Sequence, residues 1–147
     1  MDFTFSPEQE LLRESVRSFL EKEASPAYVR AMVDDERGFT DEWWSAVTSL
    51  GWPGMLVPER HGGAGLGLVD LLVVQEEMGR LPLPGPFLSS CVAATLAAVR
   101  FDDVELQERL ASGSRGTIAL EEGGAGDPLE SISAGARRAG GEWEKPC

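Results

Sequence analysis

The sequence predicts a mainly α protein: an amino-terminal bundle of about six helices over residues 1–112, followed by an incomplete β segment over 113–147. Three observations carry that expectation. Residues 1–50 contain one glycine, Gly38, whereas residues 113–147 contain eight, a switch from helix to turn-rich chain. Apolar residues before Gly113 recur at helical spacing. Several of these stripes open on a hydroxyl followed by proline or by acidic residues, the signature of a capped helix start.

The elements follow in order. Ser6-Pro7-Glu8-Gln9 supplies a cap, a proline at the first helical position and a glutamine able to bond back, and Leu12, Val16, Phe19 and Leu20 extend that helix to about Glu23. Ser25-Pro26 restarts the pattern with Tyr28, Val29, Met32 and Val33, and the charged run Asp34 to Gly38 is a solvated loop. Thr40 opens a third helix with Trp43, Trp44, Val47 and Leu50 on one side and Gly51 in the stop position; the paired tryptophans read as core. Leu68 to Met78, apolar nearly all round, reads as a helix enclosed by neighbours and ended by Gly79. Pro86 to Val99 is a fifth helix, and Asp103 to Ala111 a sixth behind the capping pair Asp102 and Glu105. Past Gly113, the segments 116–120 and 131–134 are β-prone, too few strands for a self-sufficient sheet.

Composition narrows the function. With 25 acidic against 13 basic residues the net charge is −12, and no Lys/Arg cluster is present to grip phosphates, so nucleic acid and anionic membrane surfaces are excluded as partners. Leu81 to Val99 lacks charge, but Pro82, Pro84 and Pro86 interrupt it and leave too short a stretch to span a bilayer. The acidic opening does not resemble a cleavable signal, and Cys91 and Cys147 form neither a disulfide framework nor a Cys-x-x-Cys pair, so a cytoplasmic location is expected.

Chemical motifs are sparse. The lone histidine, His61, sits in a glycine loop with no nucleophile elbow elsewhere, and one histidine with two distant cysteines makes no metal site. No catalytic residue and no metal ligand is assigned. The acidic pairs Glu76-Glu77 and Glu121-Glu122 are either general acids and bases or solvated faces and caps. Gly62-Gly63-Ala64-Gly65-Leu66-Gly67 precedes a helix, as an anion-binding loop does, yet lacks Gly-Lys-Ser/Thr and a preceding strand; anion cradle and turn punctuation both remain open.

The run from Leu50-Gly51-Trp52-Pro53-Gly54 through Val57-Pro58-Glu59-Arg60-His61-Gly62-Gly63-Ala64-Gly65-Leu66-Gly67 resembles the hallmark of the acyl-CoA dehydrogenase amino-terminal domain, and Glu76-Glu77-Met78-Gly79-Arg80 matches that family's continuation. The order of elements fits, from about Phe3 to Trp143. The resemblance implies a helical domain, a middle β-domain and a carboxy-terminal four-helix domain enclosing FAD. It implies FAD-dependent α,β-desaturation of an acyl-CoA thioester, with a carboxylate taking the α-proton and the β-hydrogen leaving as hydride to the flavin. It further implies homo- or hetero-oligomers of dehydrogenase-like chains and an electron-acceptor flavoprotein.

By the same resemblance, Ala119-Leu120-Glu121-Glu122-Gly123-Gly124-Ala125-Gly126-Asp127-Pro128 is similar to the flavin and substrate loop. Ile118, Leu120 and Glu121 are then the cofactor contacts, and Gly126 and Asp127 substrate contacts. Glu121 and Asp127 stand where the family uses Thr and Ser, and Gly123 and Pro128 also depart. Phe87, Leu88, Cys91, Val92 and Thr95 fall on the helix that in the family lines the acyl pocket; an internal core position is the alternative for each. The family's catalytic glutamate lies in the carboxy-terminal domain, so the expected reading is an amino-terminal fragment lacking the base. Trp143-Glu144-Lys145-Pro146-Cys147 departs from the family's continuation, as a truncation or frame change would. Two alternatives are a non-catalytic partner subunit of a heteromeric flavoenzyme, and a flavin oxidase or monooxygenase of the same superfamily.

Overall fold

The computed structural model describes residues 4–81, 83–119, 135, 137–139 and 142–144. The chain divides into two units, residues 1–117 and 118–147, each taken by itself below.

In the first unit, α1 (Pro7–Glu23) opens with a complete capping box: Gln9 N donates to Ser6 Oγ at 3.2 Å and Ser6 N donates to Gln9 Oε1 at 3.0 Å. The same glutamine donates through Nε2 to Asp70 Oδ1 at 3.0 Å, while Asp70 Oδ2 accepts from Gly67 N at 2.9 Å at the start of α4 (Leu68–Arg80). One turn-pair later Arg17 meets Glu77. Both links advance in the same direction along their helices, so α1 and α4 run parallel. α2 (Pro26–Val33) is capped by Ser25 but buries no residue fully, and its Val33 is exposed. The expected stripe Tyr28, Val29, Met32, Val33 is therefore only half covered. α3 (Asp41–Ser49) starts at Thr40, whose Oγ1 accepts from Trp43 N at 3.2 Å, and stops at Gly51 with φ +75°.

The core gathers around Trp52. Its ring meets Phe19 edge-on at 5.3 Å and Phe87 at 5.9 Å, and Val16, Leu20, Trp43, Trp44, Val47, Val74 and Cys91 complete the same buried cluster. Aromatic pairs in this geometry each add about 1 kcal/mol beyond simple burial. The tryptophan pair is core, as expected.

Four expectations need correction. α4 is not enclosed: Leu71, Val73, Val74 and Glu77 are buried, but Leu68, Val69 and Leu72 are exposed, because uniform hydropathy says nothing about which sides have neighbours. The helix also continues through Gly79 to Arg80. The fifth helix is composite, a π-helix over Phe87–Ala94 running into α5 (Thr95–Arg100). Finally, α6 (Val104–Ala111) is capped by Asp103, whose Oδ1 accepts from Leu106 N at 3.0 Å; Asp102 instead takes the turn, at φ 53°.

In the second unit, β1 (Arg137–Ala139) and β2 (Glu142–Glu144) pair antiparallel, with Arg138 opposite Trp143. The sequence between them is Gly140-Gly141, a pair suited to two-residue hairpin turns. No strand forms from Gly116 to Ala119, and the expected strand over 131–134 lies outside the described residues. The helical class with a short β addition stands.

Candidate functional site: an open cavity beside the π-helix

Residues Gln75, Met78 and Gly79 share one face of α4, since positions i, i+3 and i+4 align on a helix. Opposite them runs the proline-rich turn, held close by Gly85. At φ +121° only glycine is comfortable there, and a Cβ would stand 3.2 Å from the Trp43 ring and 3.6 Å from Phe39. The turn delivers Phe87 and Leu88 to the same space. Together with Leu83 these residues line an open cavity of about 240 Å³.

The residues expected at an acyl pocket separate here. Phe87 is 4% exposed and lines the cavity while packing on Trp52; Leu88, 66% exposed, forms its outer edge. Cys91 faces the core, where burial pushes its thiol up to about 12. Thr95 is fully buried and donates from Oγ1 to the Ser90 carbonyl at 3.0 Å. Val92 is half-buried against the core. Ile118 lies in the second unit with its side chain exposed, and it makes no hydrogen bond to another described residue. Leu120, Glu121, Gly126 and Asp127, with Glu122, lie outside the described residues.

Sequence reasoning missed Gln75, Met78, Gly79 and Leu83 as cavity residues. The i, i+3, i+4 spacing was a usable signal for three of them. It also missed Ser90, which is buried and accepts from Gly116 N at 2.9 Å, fixing the chain after α6 against the π-helix.

The remaining motifs resolve structurally. Ala64, Gly65 and Leu66 donate their amides to the carbonyls of Gly54, Val57 and Met55 at 2.9, 2.8 and 2.8 Å, and Gly63 donates to Pro58 at 3.2 Å. Those N–H groups are spent on the chain itself, so the glycine run folds a loop back on its own start and is no anion cradle. Glycine is required at 63 because a Cβ would land on the Val57 carbonyl. His61 accepts from Arg60 Nε at 3.0 Å through Nε2 at a partly exposed turn. Glu77 is 3% exposed and is clamped by Arg17, with Nη2 at 2.7 Å from Oε1 and Nε at 2.9 Å from Oε2. Hydrogen bonding from Arg17 holds its carboxyl below the usual glutamate value against the opposing effect of burial. Glu76 is exposed and pairs with Arg13 at 3.2 Å. Neither is arranged as a general base. No group of three or more metal-ligating side chains occurs among the described residues, and no described helix is long and apolar enough to cross a membrane.

This architecture is that of a known family. Residues 6–112 match the acyl-CoA dehydrogenase N-terminal domain, and the chain belongs to the acyl-CoA dehydrogenase family. It is 39% identical to acyl-CoA dehydrogenase IpdE2 of Mycolicibacterium smegmatis over 78% of this chain and 37% of that protein. It is 30% identical to the mitochondrial long-chain specific acyl-CoA dehydrogenase of Sus scrofa over 95% of this chain and 33% of that protein. Among solved structures, one chain of the ChsE4-ChsE5 complex from Mycobacterium tuberculosis superposes with a TM-score of 0.78 at 27% identity, covering 99% of this chain and 40% of that one. The chain thus spans roughly a third to two-fifths of the length of the relatives it matches.

Proposed function

We propose that this chain contributes the amino-terminal helical domain, residues 1–112, and the start of the middle domain, residues 113–147, to an FAD-dependent enzyme that desaturates acyl-CoA thioesters. The observation that carries this reading is the match of residues 6–112 to the N-terminal domain of this family, with an open cavity between α4 and the π-helix. Met78, Leu83, Phe87 and Leu88 give that cavity an apolar side against which a hydrocarbon tail would rest. Phe87 and Leu88 are proposed to touch the tail, with Cys91 and Thr95 further along the same helical run. FAD, when bound, would accept the β-hydrogen as hydride. In the second unit, Ile118 is exposed and makes no hydrogen bond to another described residue, which fits a main-chain contact to the flavin. Leu120 and Glu121 are proposed beside it, with Gly126 and Asp127 toward the thioester. Because the one buried described carboxylate, Glu77, is committed to Arg17, the base that takes the α-proton is proposed to come from outside the described residues. A cytoplasmic location, an oligomer of dehydrogenase-like chains and an electron-acceptor flavoprotein complete the proposal.

A second reading is favoured by likeness to structures described as the ChsE4-ChsE5 complex and the Tcur3481-Tcur3483 steroid ACAD. By it, the chain pairs with a second family polypeptide that carries the flavin chemistry. Purifying the native protein with its associated chains and adding acyl-CoA without oxygen tests both. Bleaching of the visible flavin band with enoyl-CoA formation supports the desaturase reading, and a co-purifying flavin-bearing chain selects the partner form. Rapid reoxidation by oxygen alone would move the assignment to an oxidase.

A further inference from the structure

We propose that Ser90 is a positioning residue: its hydroxyl fixes the point at which the chain leaves the helical unit and so holds the Ile118 backbone in place for the flavin; this rests on the flavoenzyme reading above. Ser90 is 1% exposed, on the buried side of the π-helix with Phe87, Cys91 and Ala94. A hydroxyl buried among apolar neighbours costs stability unless it is hydrogen-bonded, so its use lies in the bond it makes. Ser90 Oγ accepts from Gly116 N at 2.9 Å and lies 3.5 Å from the Ser114 carbonyl. The segment from Gly113 to Gly116 is held at further points. Trp44 Nε1 donates to the Gly113 carbonyl at 2.7 Å, and Arg115 pairs with Asp41 at 3.6 Å. Gly116 passes so close to Ala94 and Leu110 that a Cβ there would stand 3.0 and 3.1 Å from their side chains. Its amide is the last before Ile118 that is bonded to a described residue. Two residues of chain reach at most about 7 Å, so pinning Gly116 bounds where Ile118 can lie. The same π-helix carries Phe87 and Leu88 to the cavity, so one element sets both that wall and the exit of the chain.

The test compares the native protein, purified with its associated chains, with Ser90→Ala and with Ser25→Ala, which removes the cap of α2 and has no part in this anchoring. After the flavin is stripped, FAD is titrated back and its dissociation constant read from the change in flavin fluorescence, alongside amide hydrogen exchange of the flavin-free protein. Ser90→Ala should raise the FAD dissociation constant by about three- to tenfold, the scale of one lost hydrogen bond, and speed exchange at residues 116–118. Ser25→Ala should lower the thermal midpoint yet leave both readouts unchanged. Ser90→Cys keeps the atom count but accepts weakly, so it should fall between, and it decides if Ser90→Ala does not fold. Unchanged FAD affinity or unchanged exchange at 116–118 in the Ser90 variants overturns the inference. An equal loss of affinity in Ser25→Ala does so too, since Ser90 would then be a stabilising residue and no more. Should the unsubstituted protein hold no FAD, the flavoenzyme reading fails, and the inference with it.

Discussion

Arg17 and Glu77 form a two-point ion pair across α1 and α4, with nitrogen to oxygen distances of 2.7 and 2.9 Å. The carboxylate is buried, Arg13 and Arg80 approach it at 4.0 and 3.4 Å, and Glu77 immediately precedes the cavity residues Met78 and Gly79 in α4. The pair fixes the orientation of the helix that forms one cavity wall.

Glu77→Gln should therefore cost about 2 kcal/mol, the scale of a buried hydrogen bond to a charged partner. Because the folded carboxyl titrates below its unfolded value, its contribution is complete above the unfolded value of about 4.3 and is lost as pH falls through the lower folded value. Urea unfolding at pH 7 and again in acid checks this. The gap between native and variant should be widest at neutral pH and should close below pH 4.

Gly63→Ala should destabilise by about 2–4 kcal/mol, since the new methyl collides with backbone rather than with a flexible side chain. Gly79→Ala, a chemically identical change, should not destabilise. Thermal melting of the two variants side by side measures the contrast.

Trp44 donates from Nε1 to the Gly113 carbonyl at 2.7 Å, joining α3 to the chain after α6. Trp44→Phe should lose about 1 kcal/mol for that bond, plus a smaller term for lost volume. Hydrogen exchange should increase near residues 113–116 and remain unchanged in α1.

Cys91 should resist alkylation. With its thiol pushed up to about 12 and its side chain in the core, iodoacetamide at pH 8 should leave it unmodified in the native protein and label it fully in urea. Peptide mapping by mass spectrometry reads the result at this position alone.

Local features were the legible ones. The caps at Ser6, Ser25 and Thr40 and the stop at Gly51 depend on residues within one turn, so the sequence displays them directly. The π-helix could not be seen, because an apolar run such as Phe87 to Ala94 has no period that separates i+4 from i+5 bonding. The exposure of Leu68, Val69 and Leu72 depends on what packs where, a property of the tertiary arrangement. The same holds for Glu77, which looked like half of an acidic pair until Arg17, 60 positions away, was placed against it. The cavity needed both helices in position, although Phe87 and Leu88 were already in view through the family resemblance.

The most direct test of the account uses an acyl-CoA with a photoreactive diazirine at the tail terminus, irradiated on the native protein and mapped by mass spectrometry. The account predicts labelling at Met78, Leu83, Phe87 or Leu88, suppressed by excess dodecanoyl-CoA. Labelling confined to the separate cavity lined by Arg60, His61 and Glu108, or labelling that excess acyl-CoA does not suppress, would contradict it.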